Sequence, residues 1–206
     1  MLSQKQIKGR MLTVDYKKKL LITPLLSENQ IGPDSIDIRL GTSIVIPRKT
    51  HINSYNVSEV TNMTTSNKNR LFDFVILKPY SKFVLHPRQL ILGITFEYLS
   101  LPCDLFCTVI SRSSWGRLGL TVANKGTIPP NHKGCLTLEL VNLGETPITL
   151  YPGLLIAQLI FYPVKEEGRE TADYEGSNKW STYAKKPKLS QDKEFGFWYP
   201  ANEPTI

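Results

Sequence analysis

The 206-residue sequence contains few cysteines and histidines, with three of each. Cys103, Cys107 and Cys135 are an odd set that cannot pair completely, so we expect reduced thiols and a cytoplasmic location. The richest apolar run near the C-terminal end, Leu154 to Tyr162, is broken by Gln158 and is far shorter than the ~20 residues that span a bilayer. The basic N-terminus is not followed by an apolar stretch and a cleavage site. We therefore predict neither a membrane span nor a secretory signal.

Most familiar catalytic motifs are also missing. There is no Walker A loop and no G-x-G-x-x-G, and His51, His86 and His132 are widely scattered. The segment Pro102 to Cys107 resembles half of a zinc deaminase signature, but its two cysteines are one residue too far apart. No histidine is followed two positions later by glutamate. We therefore predict no zinc site.

The charge of the chain is unevenly distributed. The net charge is +7, and the first 20 residues hold six basic side chains against Asp15 alone. Such a basic arm is typical of a solvated surface or of a contact with a partner subunit, so we expect no nucleic acid partner. A small polyanion is the alternative partner for this arm. Hydrophobic residues make up 41% of the chain and charged residues 21%, as in ordinary folded proteins.

The first elements are marked by local signals. Ser3 followed by Gln6 is typical of a capping box that opens a short helix, and Gly9 is expected to end that helix. Ser35 to Leu40 alternates polar with apolar residues, which predicts a half-buried strand, with Gly41 as its end.

From Leu71 onward, short β-rich runs recur between turn signals, and no helical period is sustained. The runs are Phe72 to Leu77, Phe83 to Leu85, Leu90 to Phe96, Phe106 to Ile110, Gly134 to Val141, Ile148 to Leu150 and Leu154 to Phe161. This spacing predicts an all-β sandwich, jelly roll or barrel. Residues 51–70 are polar and predict a long loop. The composition changes past Pro163, so we divide the chain into a β domain, 1–163, and an arm, 164–206, whose aromatic residues predict docking.

Two segments hold candidate functional groups. Arg112 to Gly119 concentrates hydroxyl and guanidinium groups before a possible helical turn, which suits a phosphate. The alternative is a serine helix cap with surface arginines nearby. Glu139 lies in a strand whose alternation puts it opposite the leucines. Its alternative interpretation is a solvent-facing carboxylate without a role.

Several segments follow one another in a distinctive order. They are Gly32 to Gly41, Leu85-His86-Pro87, Leu92 to Pro102, Arg112-Ser113-Ser114-Trp115-Gly116-Arg117-Leu118-Gly119, Gly134 to Glu139, and Tyr151-Pro152-Gly153. In this order they resemble the dCTP deaminase branch of the dUTPase-like superfamily. The resemblance implies a mainly β fold with short helices, a distorted jelly roll or β-clip. It also implies a homotrimer with active sites at the subunit boundaries and the C-terminal arm as a lid.

The implied activity is a hydrolase reaction on a C–N bond of a cyclic amidine. Members of this family deaminate dCTP to dUTP and ammonia without a catalytic metal, and Mg²⁺ is bound through the nucleotide triphosphate and its waters. The implied partners are therefore dCTP, dUTP and further copies of the chain. The absence of a zinc signature is consistent with this chemistry.

The resemblance also implies roles for individual residues. Glu139 would shuttle protons, Ser113 would help place the water, and Arg117 would stabilise charge as the ring carbon becomes tetrahedral. Further substrate contacts would come from Arg112 and Ser114 on the phosphates, from Gly126, Ile128 and His132, and from Tyr174 and Lys179 in the arm.

The sequence departs from the superfamily pattern at one place. Gly126 to Gly134 corresponds to G-x-I-D-x-x-Y/W-x-G, so Pro129 stands where an aspartate is expected and His132 replaces an aromatic residue. In dUTPases that aspartate positions the water that attacks phosphorus, and proline has no acceptor side chain. Two alternatives stay open: a dUTPase or bifunctional enzyme that forms dUMP, and a non-catalytic nucleotide-binding regulatory trimer.

Overall fold

The structure, a computed structural model, describes residues 1–48, 71–124 and 126–164. The predicted loop 51–70 and the predicted arm beyond residue 164 lie outside the described residues. The elements in chain order are α1 (Gln4–Leu12), β1 (Leu21–Thr23), a 3-10 turn (Glu28–Gln30), β2 (Ile36–Pro47), β3 (Phe72–Ile76), β4 (Phe83–Leu85), β5 (Leu90–Ser100), β6 (Leu105–Ser111), α2 (Ser113–Gly116), β7 (Leu120–Val122), β8 (Thr127–Ile128), β9 (Lys133–Asn142), β10 (Ile148–Leu150) and β11 (Leu155–Pro163).

The N-terminal helix begins with the predicted capping pair. The Ser3 N–H donates to Gln6 Oε1 at 2.9 Å, which satisfies an amide that the helix leaves free. The prediction that Gly9 ends the helix is wrong, because α1 continues to Leu12. Contacts with the rest of the chain hold this last turn: the Arg10 guanidinium pairs with Asp104 at 2.6 Å, and the Arg10 carbonyl accepts from the Leu20 N–H.

Within the described ranges, most strands form one nine-stranded sheet. Its order is β7-β9-β5-β2-β11-β6-β8, with β1 paired to β5 and β3 paired to β2, and a separate pair joins β4 to β10. The first part of β2, Ile36 to Arg39, pairs with β11, whereas its later residues pair with β5 and β3. Register shifts in these pairings bend the sheet, so that it wraps around one core.

Gly41 does not end the second strand as predicted. A Cβ at this position would lie 3.0 Å from the side chain and the carbonyl oxygen of Ile94, so the glycine allows β2 and β5 to approach closely. The strand then continues to Pro47. The prediction that Gly41 ends the strand is therefore wrong, because the glycine here serves a close contact between two strands.

The core is built from alternating positions of the long strands. Buried side chains of β2, β9 and β11 include Ile36, Ile38, Leu40, Leu136, Leu138, Leu140, Ala157, Leu159 and Phe161. Their period of two confirms the predicted strand pattern. The predicted mainly β fold with short helices is also confirmed. No helix in the described ranges is long and apolar enough to cross a membrane.

Candidate active site

The predicted phosphate-binding segment forms a tight turn between β6 and β7. The Arg112 carbonyl accepts from the N–H groups of Trp115 and Gly116 at 3.1 and 3.0 Å, and the Ser113 carbonyl accepts from Arg117 at 3.1 Å. The turn of helix therefore starts after Arg112, which is its N-cap and makes no side-chain capping bond. The alternative of a serine cap is wrong, because Ser113 is already the first helical residue. The predicted helical turn itself is confirmed.

Side chains fix this turn on both sides. The Trp115 indole Nε1–H donates to the Leu155 carbonyl of β11 at 2.6 Å. On the other side the Ser111 hydroxyl accepts from the Val122 N–H at 2.8 Å and lies 3.3 Å from the Thr121 hydroxyl. These bonds join the turn to β11 and the end of β6 to β7. The turn is therefore held rigidly while its outward side chains stay available.

Gly119 closes the turn against a second loop. Its φ is +91°, a conformation that costs little only for glycine, and a Cβ there would lie 2.4 Å from the Gly144 nitrogen. The Gly119 carbonyl accepts from the Leu143 N–H at 2.8 Å. A larger side chain at 119 would force the two loops apart.

Glu139 lies on β9, at the point where the pairing with β7 ends. Val122 is the last residue of β7 and pairs with Leu140. Beyond it, the Ala123 N–H donates to the Glu139 carbonyl at 2.7 Å, and the Asn124 side chain bonds the Glu139 N–H and the Thr137 carbonyl at 2.8 and 3.0 Å. The backbone of the 123–124 loop therefore runs beside Glu139, whose side chain is exposed.

The three predicted catalytic side chains do not meet within one chain. Ser113, Arg117 and Glu139 are all exposed. Among the residues that the structure describes, none of these three side chains has a recorded hydrogen bond or ion pair. They lie toward opposite ends of β7, since Arg117 precedes its first residue and Glu139 lies beyond its last. In the described chain these side chains therefore form two separate half-sites, Ser113 with Arg117 and Glu139 alone.

Comparison with known proteins decides the family. A family model described as dCTP deaminase-like matches residues 1–164, which is well over half of the 206-residue chain. The chain belongs to the dCTP deaminase-like family. The resemblance inferred from the order of its motifs is confirmed.

Relatives with two different names support this assignment. The chain is 33% identical over 183 residues to a protein of Halorubrum lacusprofundi named dCTP deaminase, covering 85% of this chain and 86% of that one. It is 30% identical over 180 residues to a protein of Methanosphaera stadtmanae named dCTP deaminase, dUMP-forming, covering 85% and 87%. The names differ in the product that they give.

A solved structure supports the fold. The crystal structure of 2'-deoxycytidine 5'-triphosphate deaminase from Agrobacterium tumefaciens aligns with a TM-score of 0.57 at 24% identity. The alignment covers 80% of this chain and 48% of that one, so this chain spans about half the length of that structure. The predicted jelly-roll-like architecture of the dCTP deaminase-like family is confirmed.

The remaining predicted substrate contacts lie in different surroundings. Gly126 is exposed, and Ile128 is half-buried in β8, where it pairs with Cys107 of β6. Tyr174 and Lys179 lie outside the described residues. All of these assignments stay predictions.

The loop that departs from the family pattern is held by backbone hydrogen bonds. The His132 N–H donates to the Pro129 carbonyl at 3.3 Å, and the His132 carbonyl accepts from the Leu101 N–H at 2.9 Å. The His132 Nε2 is buried and has no hydrogen-bond partner within the described ranges. Burial lowers the pKa of this imidazole, because the charged form loses its hydration.

A carboxylate that the sequence analysis did not assign lies beside the turn. Asp37 Oδ2 is 3.4 Å from Arg112 Nη2, and Asp37 Oδ1 accepts from the Gln158 side chain at 2.8 Å. The Arg112 side chain also lines an open cleft of about 460 Å³, together with Arg39. Asp37 lies in the Gly32 to Gly41 segment, which is one of the motifs that resemble the family. Its position in this motif was the sequence signal that could have marked it as a candidate site residue.

The cysteines lie in unequal surroundings. Cys107 is fully buried, and burial raises the pKa of its thiol. Burial raises the pKa of the half-buried Cys135 thiol to about 11. The Cys103 thiol lies at the surface side of its segment, 3.7 Å from the Lys17 carbonyl. In the described ranges, no three His, Cys, Asp or Glu side chains form a group that could hold a metal ion.

Proposed function

We propose that this protein is a dCTP deaminase of pyrimidine deoxynucleotide metabolism. Water adds to C4 of the cytosine ring, the C4–N4 bond breaks, and the products are dUTP and ammonia. Membership of the dCTP deaminase-like family supports this proposal. The observation that carries it is the Arg112 to Gly119 turn, in which Ser113, Ser114 and Arg117 are exposed and the Arg112 side chain lines an open cleft, as recognition of a phosphorylated pyrimidine requires.

Three side chains carry the proposed chemistry. Glu139 takes a proton from the attacking water and returns one to the leaving amine. Ser113 helps to hold the water and the exocyclic nitrogen. Arg117 stabilises the charge that develops as C4 becomes tetrahedral, which is worth most where the donor is already oriented. Proton transfer in this scheme uses a protein carboxylate.

The phosphates bind at the same turn in this proposal. Arg112 contributes a guanidinium with a planar fork of donors, and Ser114 contributes a hydroxyl. The substrate enters as its Mg²⁺ complex, with the ion held by the triphosphate oxygens and waters. Tyr174 and Lys179 of the arm would close over the phosphates and exclude water.

We also propose a homotrimer in which neighbouring subunits complete each site. Glu139 is exposed in the single chain, whereas a proton shuttle works best in partly desolvated surroundings. The second half-site, with Ser113 and Arg117, is equally open. Placing the Glu139 of one subunit against the turn of another would bury both half-sites at once. We place the protein in the cytoplasm, where its three cysteines stay reduced.

The proposed end product is dUTP. A relative is named dUMP-forming, and that product requires cleavage of the triphosphate as well as deamination. Pro129 supports dUTP, because a proline offers no carboxylate to position a water against phosphorus. The dUMP-forming reaction is the second candidate.

Product analysis tests the proposal. Purified protein is incubated with each cytosine and uracil deoxynucleotide in the presence of Mg²⁺, and ammonia and pyrophosphate are measured separately. We expect ammonia and dUTP in equal amounts from dCTP, with no pyrophosphate. Pyrophosphate with dUMP would favour the second candidate. Binding of dCTP without any ammonia would favour the non-catalytic alternative.

A further inference from the structure

Strand register brings Asp37 into line with the candidate active-site turn. Asp37 of β2 is directly opposite Gln158 of β11, and Gln158 is directly opposite Ile110 of β6. Directly paired residues project from the same face of a sheet. Arg112 follows Ile110 by two residues in an extended backbone conformation, with φ −71° and ψ 131°. Its side chain therefore leaves from the same face as the Asp37 side chain.

The contacts of Asp37 fix both ends of its carboxylate. Oδ1 accepts from the Gln158 amide at 2.8 Å, and Oδ2 faces Arg112 Nη2 at 3.4 Å. The Asp37 side chain is 15% exposed and that of Arg112 is 27% exposed, so the pair is only partly screened by water. The Gln30 amide also donates to the Asp37 carbonyl at 3.0 Å. Side chain and backbone of Asp37 are thus both held.

We propose that Asp37 is a positioning residue that orients the Arg112 guanidinium for the substrate triphosphate. This proposal rests on the proposed function, in which Arg112 binds phosphate. When a carboxylate pairs with one edge of a guanidinium, the other N–H groups stay free to donate hydrogen bonds to a phosphate, and their direction is fixed. An arginine that is already oriented loses less side-chain freedom when the phosphate binds, so affinity increases.

Asp37 also has an opposing effect, because its negative charge repels a phosphate. The phosphate would bind the N–H groups that Asp37 leaves free, so the guanidinium lies between the two anions. Water reaches the turn on that side and screens the longer-range repulsion. We therefore expect orientation to outweigh repulsion, and loss of the Asp37 charge to weaken phosphate binding.

The matched test compares Asp37→Asn with Asp73→Asn. Asp73 of β3 forms the same kind of pair, 2.7 Å from Nε of Arg48, the residue that follows β2, but this pair is about half exposed. For each variant, KM and kcat for Mg²⁺-dCTP, the Kd for Mg²⁺-tripolyphosphate and the unfolding midpoint are measured. We expect Asp37→Asn to raise KM and the tripolyphosphate Kd about tenfold, with kcat within about twofold of wild type. Asp73→Asn should change neither constant.

A double-mutant cycle separates positioning from a general loss of structure. In an Arg112→Ala background, Asp37→Asn should change the tripolyphosphate Kd by less than about twofold, since the group that it orients is gone. Gln158→Leu provides a second route, because the carboxylate then loses its orienting amide. It should shift the Kd in the same direction. An unchanged or tighter Kd in Asp37→Asn, or an equal loss in the Arg112→Ala background, would overturn the proposal.

The assays also distinguish this proposal from the proposed function. Wild-type protein that releases no ammonia, but whose tripolyphosphate affinity falls in Asp37→Asn, would refute the deaminase and support the positioning role. If the wild-type protein deaminates dCTP but Asp37→Asn changes neither Kd nor KM, the deaminase is supported and the positioning role is refuted. A wild-type protein that neither binds tripolyphosphate nor releases ammonia would overturn both.

Discussion

Replacing Glu139 with glutamine isolates the proposed proton transfer. The backbone N–H and carbonyl of Glu139 are bonded to Asn124 and Ala123, and the substitution leaves both bonds in place. The side chain is exposed and has no recorded hydrogen bond or ion pair in the described part of the chain. Exposed substitutions without partners change the free energy of unfolding by no more than about 0.5 kcal/mol. Glutamine also matches glutamate in size, so we expect the fold of Glu139→Gln to be as stable as wild type, both in the single chain and where the proposed homotrimer covers the side chain.

The expected effect on turnover is large. A glutamine amide neither accepts a proton from water nor returns one to the leaving amine, and a positioned acid–base group contributes about 10²-fold or more. A 10²-fold loss corresponds to about 2.7 kcal/mol of transition-state stabilisation. The Kd for dCTP should stay near wild type, because the proposed phosphate contacts come from Arg112 and Ser114. Ammonia release, calorimetric binding of dCTP and urea unfolding measure the three quantities separately.

Glu145→Gln is the matched control. Glu145 is another exposed glutamate, with 85% of its side chain accessible and Arg88 at 3.8 Å. It should keep wild-type turnover, because exposed ion pairs contribute little. Turnover of Glu139→Gln within about tenfold of wild type would refute the proton-shuttle role. An equal loss in Glu145→Gln would show that the effect is not specific to the site.

Two further predictions concern the framework of the site. Gly119→Ala should lower the free energy of unfolding by about 2 kcal/mol or more, because φ is +91° and its Cβ would lie 2.4 Å from the Gly144 nitrogen. Gly116→Ala, with nothing within 4 Å of the added Cβ, should not, and equal urea midpoints would contradict this reasoning. Burial lowers the pKa of His132 in the folded state below the ordinary 6.5 of the unfolded chain. At a pH between these two pKa values, the unfolded chain therefore binds more protons than the folded one. Stability should therefore fall as the pH drops below about 6.5, and urea unfolding of His132→Gln should show a weaker pH dependence than wild type.

Local patterns predicted the long elements well. The alternation around Glu139 correctly placed it on the exposed face of a strand, with Leu138 and Leu140 buried. The pairing of Ser3 with Gln6 correctly marked the start of α1. Both features depend on neighbours within a few residues, so the sequence contains the whole signal.

The short strands of the site could not be predicted in this way. β7 has only three residues and β8 only two, and neither is long enough to show the alternation of polar and apolar residues that predicts a strand. They form because distant groups bind them: the Ser111 hydroxyl holds the Val122 N–H, and β9 and β6 supply the pairing. Asn124 likewise extends the pairing of β9 through its side chain. Such contacts depend on the tertiary structure.

The contrast between the rigid backbone and the open side chains of the site bears on how it works. The turn is fixed by the Trp115 bond to Leu155 and by the close approach of Gly119 to Gly144, whereas Ser113 and Arg117 face solvent. A fixed backbone with unbonded donors lowers the cost of binding a ligand, because little has to be reordered. The same donors and Glu139 act weakly in water, where the dielectric constant is high. A partner that excludes water without disturbing the turn would strengthen all three, so we expect the proposed homotrimer assembly to increase the proposed deaminase activity.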